Sequence, residues 1–174
     1  MGELVLIVDD EPGILTALSG VLNDEGYETL GTQSGEEAVT LYQEKRPAVV
    51  FLDIWLPDRD GLETLQALRE LDPAASVVMM SGHGTASTAV KAIKMGAFDY
   101  VEKPISYNQV VESVVGALKY RESLASDASL LSSLERTKTR LDSERNLTPA
   151  PPLPILQEGE EPQRTIRKSA VLYG

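Results

Sequence analysis

Short apolar runs rich in β-branched residues recur along the chain at Leu4 to Val8, Val49 to Leu52, Val77 to Met80 and Asp99 to Val101, with segments of helical period between them. Near-continuous apolar runs of this length mark strands buried on both faces of a parallel sheet. A fifth strand is predicted at Tyr27 to Thr32. The helical segments carry their own punctuation. Leu15, Leu18, Val21 and Leu22 form an apolar stripe that Gly26 ends. Ser34 with Glu37 has the spacing of a capping box, opening a second helix whose apolar face includes Ala38, Leu41 and Tyr42. Gly61 to Leu71 repeats Leu62, Leu65 and Leu68 ahead of Pro73, Thr85 to Met95 stops at Gly96, and Ser106 with Gln109 caps a fifth helix.

Five βα units joined by right-handed crossovers predict an α/β fold, a flavodoxin-like parallel sheet of order 2-1-3-4-5 with helices on both faces. Ligands of such open sheets bind beyond the carboxyl ends of the strands. That is where the apolar runs deliver Asp9 and Asp10, Asp53, Ser81 and Lys103, so residues far apart in sequence are expected to converge. Three crowded carboxylates repel, which raises at least one pKa unless a cation sits among them. Magnesium suits such a site, because it takes hard oxygen ligands and is held by one or two carboxylates together with a phosphate and waters. Asp10 and Asp53 are suitable ligands. An Asp beside that ion can act as a nucleophile and form an aspartyl phosphate, and Asp53 is the candidate. Lys103 and Ser81 can supply charge and a hydroxyl to the phosphoryl oxygens.

Four segments carry a family resemblance: VDDE at Val8 to Glu11, FLDIWLPDRDG at Phe51 to Gly61, MSGHG at Met80 to Gly84, and GAFDYVEKP at Gly96 to Pro104. In this order and spacing they resemble a two-component response-regulator receiver domain of the NtrC type, over residues 3 to about 120. The resemblance implies that Asp9 and Asp10 are the acidic pair for Mg²⁺, joined by Asp53 and the backbone carbonyl of Trp55. It implies that Asp53 accepts a phosphoryl group from a sensor histidine kinase, with Ser81 and Lys103 contacting that group. Tyr100 falls at the switch-aromatic position, which turns inward when Ser81 moves toward the phosphate. The Lys103-Pro104 bond resembles one that is cis in the family. The face of helix four, strand five and helix five is expected to report phosphorylation to a partner. Helix four, with Val90, Ile93 and Met95 set among Ala, Thr and Ser, is packed weakly enough to shift. Trp55 places a large indole near the approach of an attacking water, which predicts slow dephosphorylation.

Plainer roles compete for several of these residues. Asp9 or Asp10 could cap the helix that follows. Asp58 and Asp60, in a Pro-Asp-Arg-Asp-Gly turn, are expected to be turn or cap residues. His83, the single histidine, is expected to be a loop residue, and Tyr100 could be an ordinary strand aromatic. A different functional class, a Mg²⁺-dependent phosphotransferase or phosphatase acting on small molecules, shares the Asp nucleophile. Its D-x-D-x-[TV] arrangement is missing, since Ile54 and Trp55 follow Asp53. The expected function is therefore a phosphorylation-dependent signalling switch and not an enzyme.

With 174 residues, 42% hydrophobic content and no cysteine, the chain can build one good core without disulfides or thiol-zinc sites, as suits a reducing cytoplasm. No apolar stretch approaches a membrane span, and the start does not resemble a signal peptide. A net charge of −11 argues against direct nucleic-acid contact by this segment.

Beyond the receiver, Leu124, Leu131, Leu134 and Leu141 are spaced by seven, three and seven, as in an a/d seam. A helical linker over 121–146 follows, either as a parallel dimeric coiled coil or as a single helix lying on the receiver, and Asp127 and Lys138 interrupt the seam. A homodimer is expected through this helix or through the face of helix four, strand five and helix five. Residues 148–162 hold five of the ten prolines and a run of glutamates, so 147–174 is predicted to be a disordered linker and the start of an output segment. An NtrC-type regulator would continue into an ATPase, but no G-x-x-x-x-G-K-[ST] loop occurs here. QRTIRKSAVLYG at 163–174 resembles the opening strand of the zinc-dependent deacetylase of lipid A biosynthesis, with every zinc ligand then lying downstream; the alternative is a disordered tail.

Overall fold

The computed structural model describes residues 2–147, with side chains described through residue 143. The expected linker at 148–162 and the deacetylase-like segment at 163–174 lie outside the described residues. Elements alternate in the order β1 (Leu4–Val8), α1 (Pro12–Asp24), β2 (Glu28–Thr32), α2 (Gly35–Lys45), β3 (Val49–Asp53), α3 (Gly61–Leu71), β4 (Val77–Ser81), α4 (Ala86–Lys94), β5 (Asp99–Glu102) and α5 (Tyr107–Leu147). The five strands form one parallel sheet of order β2-β1-β3-β4-β5, as the βα alternation predicts.

Burial follows from that order. The interior strands β3 and β4 are buried throughout, whereas the edges β2 and β5 are only partly covered. Successive strand residues point to opposite faces. Leu6, Val8, Val50, Leu52, Val77 and Met79 therefore pack with Ala38, Tyr42, Leu65, Leu68 and Ala92 from α2, α3 and α4. Val5, Ile7, Val49, Phe51, Val78 and Met80 pack on the other face with Leu18 and Leu22 of α1 and Val110, Val114 and Ala117 of α5.

The helix ends show where local signals hold and where packing modifies them. Gly26 and Gly96, at φ +90° and +99°, follow α1 and α4 and turn the chain into the left-handed region those stops need. Ser106 and Gln109 form both halves of a capping box, at 3.0 and 3.2 Å. The box of α2 is only half made. Ser34 Oγ accepts the Glu37 N–H at 3.1 Å, but the Glu37 carboxylate takes the Thr32 hydroxyl instead of the Ser34 N–H. Thr32 is 4% exposed, and its hydroxyl serves both groups: it donates to the Glu37 carboxylate and accepts the Ser34 N–H at 3.2 Å. In α4 only Ala92 is buried, and Val90 and Ile93 are 52% and 46% exposed.

The chain divides into two units, one running through Leu131 and the other starting at Ser132, with α5 contributing to both. In the first unit Arg121 Nη1 donates to Asp72 Oδ2 and Tyr42 Oη at 3.3 Å and to the Ala74 carbonyl at 3.2 Å, and Tyr42 Oη donates to Asp72 at 2.7 Å. Ser76 Oγ adds a bond to the Ala117 carbonyl at 2.8 Å. These bonds fasten α5 to Tyr42 of α2 and to the α3–β4 connection. In the second unit residues 132–143 are exposed helix. No described helix is long and apolar enough to cross a membrane.

Candidate functional site

The carboxyl ends of β1, β3, β4 and β5 deliver the site. Asp9 follows β1 directly, Asp53 ends β3, Ser81 ends β4, and Lys103 follows β5. Ladder bonds hold these ends level: Asp9 N–H to the Thr32 carbonyl at 3.1 Å, Ile54 N–H to Met80 at 3.1 Å, and Lys103 N–H to Ser81 at 2.8 Å. The Lys103-Pro104 bond is cis. Asp9, Asp53 and Ser81 are buried and Asp10 is exposed, so the cluster has a wet side.

Lys103 is the centre of charge. Its ammonium lies 2.7 Å from Asp9 Oδ2 and 3.3 Å from both Asp53 Oδ2 and Glu11 Oε1, with the lysine side chain only 11% exposed. Burial alone lowers a lysine, but the close approach of its ammonium to the Asp9 carboxylate and the charges of Asp53 and Asp9 outweigh it and hold Lys103 above its ordinary value. Burial raises Asp9 in spite of Lys103 and of the Glu11 N–H, which it accepts at 2.9 Å. Burial and the Asp9 charge push Asp53 up to about 6 against the pull of Lys103. One ammonium does not neutralise this set of acids.

The donor set fits magnesium. Asp9, Asp10 and Asp53 each offer a carboxylate oxygen, and the three oxygens lie within 4.8 Å of one another. Among the described residues Asp9 Oδ2 is buried and receives no well-aligned hydrogen bond, its one neighbour of opposite charge being Lys103. Hard oxygens, excess negative charge and an open side for water are what Mg²⁺ requires. Trp55 lies two residues past Asp53 at the start of the β3–α3 connection, with its indole 63% exposed.

Ser81 Oγ accepts the His83 N–H at 3.2 Å, while the His83 side chain is exposed on its loop and takes no part in the cluster. Tyr100 points inward. Its hydroxyl is buried without a hydrogen-bond partner among the described residues, in space where a Cβ on Gly84 would overlap it and would also lie 3.0 Å from Ser81 Oγ. The glycine of the Gly-His-Gly loop is thus the cradle of the tyrosine, a contact the sequence does not signal.

Asp60 caps α3, accepting the Leu62 N–H at 2.8 Å. Asp58 caps a different helix. Its carboxylate accepts Ser34 Oγ at 2.9 Å and the Gly35 and Glu36 N–H groups at 3.1 Å, tying the loop that carries Trp55 to the start of α2. Glu11 was also not legible as a partner of Lys103, although it directly follows the acidic pair in sequence.

A family model described as the response regulator receiver domain matches residues 5–115. The nitrogen assimilation regulatory protein NtrX of Azorhizobium caulinodans is 43% identical over 121 residues, covering 68% of this chain and 27% of that protein. The chain thus spans about a quarter of that relative's length. The crystal structure of NtrX from Brucella abortus in complex with ADP superposes with a TM-score of 0.70 at 37% identity, over 75% of this chain and 30% of the other. The solution structure of the beryllofluoride-activated NtrC4 receiver domain dimer gives 0.66 at 37% identity, over 68% of this chain and 98% of that one. With the acid, serine and lysine cluster at the ends of a 2-1-3-4-5 sheet, and a family match over more than half its length, the chain belongs to the response regulator receiver domain family, the phosphorylation-dependent switches of two-component signalling.

Proposed function

We propose that Asp53 is the phosphoacceptor of this switch and that a sensor histidine kinase is the donor. The observation that carries the assignment is the shared position of Asp53 against Lys103 and inside the three-acid cluster. An Asp53 carboxylate oxygen attacks phosphorus, the phosphorus–nitrogen bond of the donor phosphohistidine breaks, and the imidazole nitrogen regains a proton. Mg²⁺ held by Asp9, Asp10, Asp53 and the Trp55 carbonyl would neutralise the phosphoryl oxygens on one side. Lys103, which pairs with Asp9 and Asp53 before transfer, turns its ammonium to a phosphoryl oxygen afterwards. The Ser81 hydroxyl keeps its proton for a second oxygen, since it accepts the bond from the His83 N–H. Tyr100, whose hydroxyl sits against Gly84 near Ser81, carries the change to the α4-β5-α5 face. That face meets an attached or separate output, or a second receiver, and the scantily packed α4 supports this role. The exposed Trp55 indole screens the acyl phosphate from water. The setting is the cytoplasm, and 1–120 acts as the receiver ahead of a helical linker over 121–146.

Incubation with acetyl phosphate and Mg²⁺ tests this reading. One modified aspartate should accumulate at Asp53, Asp53→Asn should abolish it, and Lys103→Ala should keep labelling while losing the response of the α4 face. Phosphate retained on the Asn variant would move the acceptor elsewhere, and continuous turnover of acetyl phosphate would favour the small-molecule phosphotransferase. In the same preparation Trp55→Asn should shorten the acyl-phosphate lifetime; an unchanged lifetime removes the shielding role.

A further inference from the structure

The leucine stripe of α5 specifies how the helix would pair. Leu124, Leu131, Leu134 and Leu141 take a and d positions of one heptad frame, with Asp127 at an intervening d and Lys138 at an intervening a. All six residues belong to one helix, Tyr107–Leu147. Leu131, Leu134 and Leu141 are 62%, 65% and 54% exposed in the single chain, and Asp127 and Lys138 are exposed too. Neither charge is among the ion pairs of the described residues.

These six residues are arranged symmetrically about the point between Ser132 and Ser133. Leu131 mirrors Leu134, Asp127 mirrors Lys138, and Leu124 mirrors Leu141. In a parallel pair of identical helices every seam residue meets its own copy, so Asp127 faces Asp127 and Lys138 faces Lys138. Like charges opposed within an apolar seam disfavour that arrangement. In an antiparallel pair crossing at the serines, each a position faces a d position of the other helix. Every layer is then leucine on leucine or Asp127 on Lys138, and the twofold axis makes the ion pair occur twice. The stripe runs for about five helical turns, long enough to bury a continuous seam.

We propose that α5 is the interaction surface for a second copy of this chain, and that the two helices pair antiparallel with Asp127 of each against Lys138 of the other. The charges that interrupt the leucine seam are in this arrangement the devices that set its direction. The pairing does not depend on which aspartate accepts phosphate.

Sedimentation equilibrium of the full chain at low salt tests the charges. Asp127→Lys and Lys138→Asp, singly, should each weaken the dimer roughly ten-fold, because two attractive pairs become repulsive, and the combined swap should restore it. The chain has no cysteine, so introduced ones report direction. Under oxidation Leu141→Cys alone should stay unlinked, whereas a mixture of Leu124→Cys and Leu141→Cys chains should form the mixed disulfide. Self-linked Leu141→Cys, single swaps without effect on affinity, or a chain that stays monomeric into the millimolar range would each overturn the proposal.

Discussion

Burial and the charge of Asp9 push Asp53 up to about 6 from an ordinary 3.8, and the sign of the consequence for stability follows. A carboxyl raised from 3.8 to about 6 on folding costs stability as pH rises between those two values, with the full penalty present above about pH 6, because only the ionised form suffers from burial and from Asp9. Above about pH 6 in metal-free buffer, Asp53→Asn should therefore be more stable than the parent, on the order of 2 kcal/mol, in urea unfolding. Millimolar Mg²⁺ should stabilise the parent more than the variant and narrow the gap; a variant no more stable at pH 8 would contradict the assigned cause. Gly84 is the second residue whose chemistry is set by a neighbour. A Cβ there overlaps the Tyr100 hydroxyl, so Gly84→Ala should drive the ring outward while Asp53 still labels, and the α4 face should lose its phosphorylation-dependent NMR shifts. Tyr100→Phe in the Gly84→Ala background should return part of the response, because the hydroxyl is the atom most in the way. The acids, Ser81 and Lys103 were legible because each lies within two residues of the end of an apolar run. The cradle at Gly84 was not, since a Gly-His-Gly loop reads equally well as a simple turn.

At the scale of elements, α5 is fastened to the receiver by a polar cluster that no periodicity announces. Despite burial, which raises it, Asp72 is held below its ordinary 3.8 by the Tyr42 hydroxyl, the Ala74 N–H and the Arg121 charge. Burial and the bond to Asp72 push Tyr42 up to about 12. A carboxylate lowered in the folded state contributes stability that is complete above the unfolded value and lost as pH falls through the folded one. Asp72→Asn should thus cost about 1–3 kcal/mol at pH 7, with the gap to the parent closing below about pH 4. A gap constant down to pH 2 would show that the charge is not what holds these elements together. The same scale explains why the α2 capping box is half made while that of α5 is complete: the buried Thr32 hydroxyl bonds Glu37 and itself takes the Ser34 N–H, whereas among the described residues Gln109 has no other side-chain hydrogen bond. Capping motifs are local, but a buried strand-end hydroxyl is a tertiary fact.

Across the whole molecule, strand positions, their parallel order and the polar residues at their carboxyl ends could be read from sequence alone. Hydrophobic period and run length are properties of consecutive residues, and a parallel sheet of βα units has few ways to be wound. The mirrored order of leucines and charges along α5 is likewise written in one dimension. Only the tertiary structure decided which side chains meet: Lys103 with Glu11 as well as the aspartates, Asp58 with the start of α2, Arg121 with Tyr42 and Asp72, and Tyr100 over Gly84. Each of these contacts joins different segments of the fold, and its partner is chosen by strand register and by what remains unsatisfied after the core has closed, for which no spacing along the chain carries a signal.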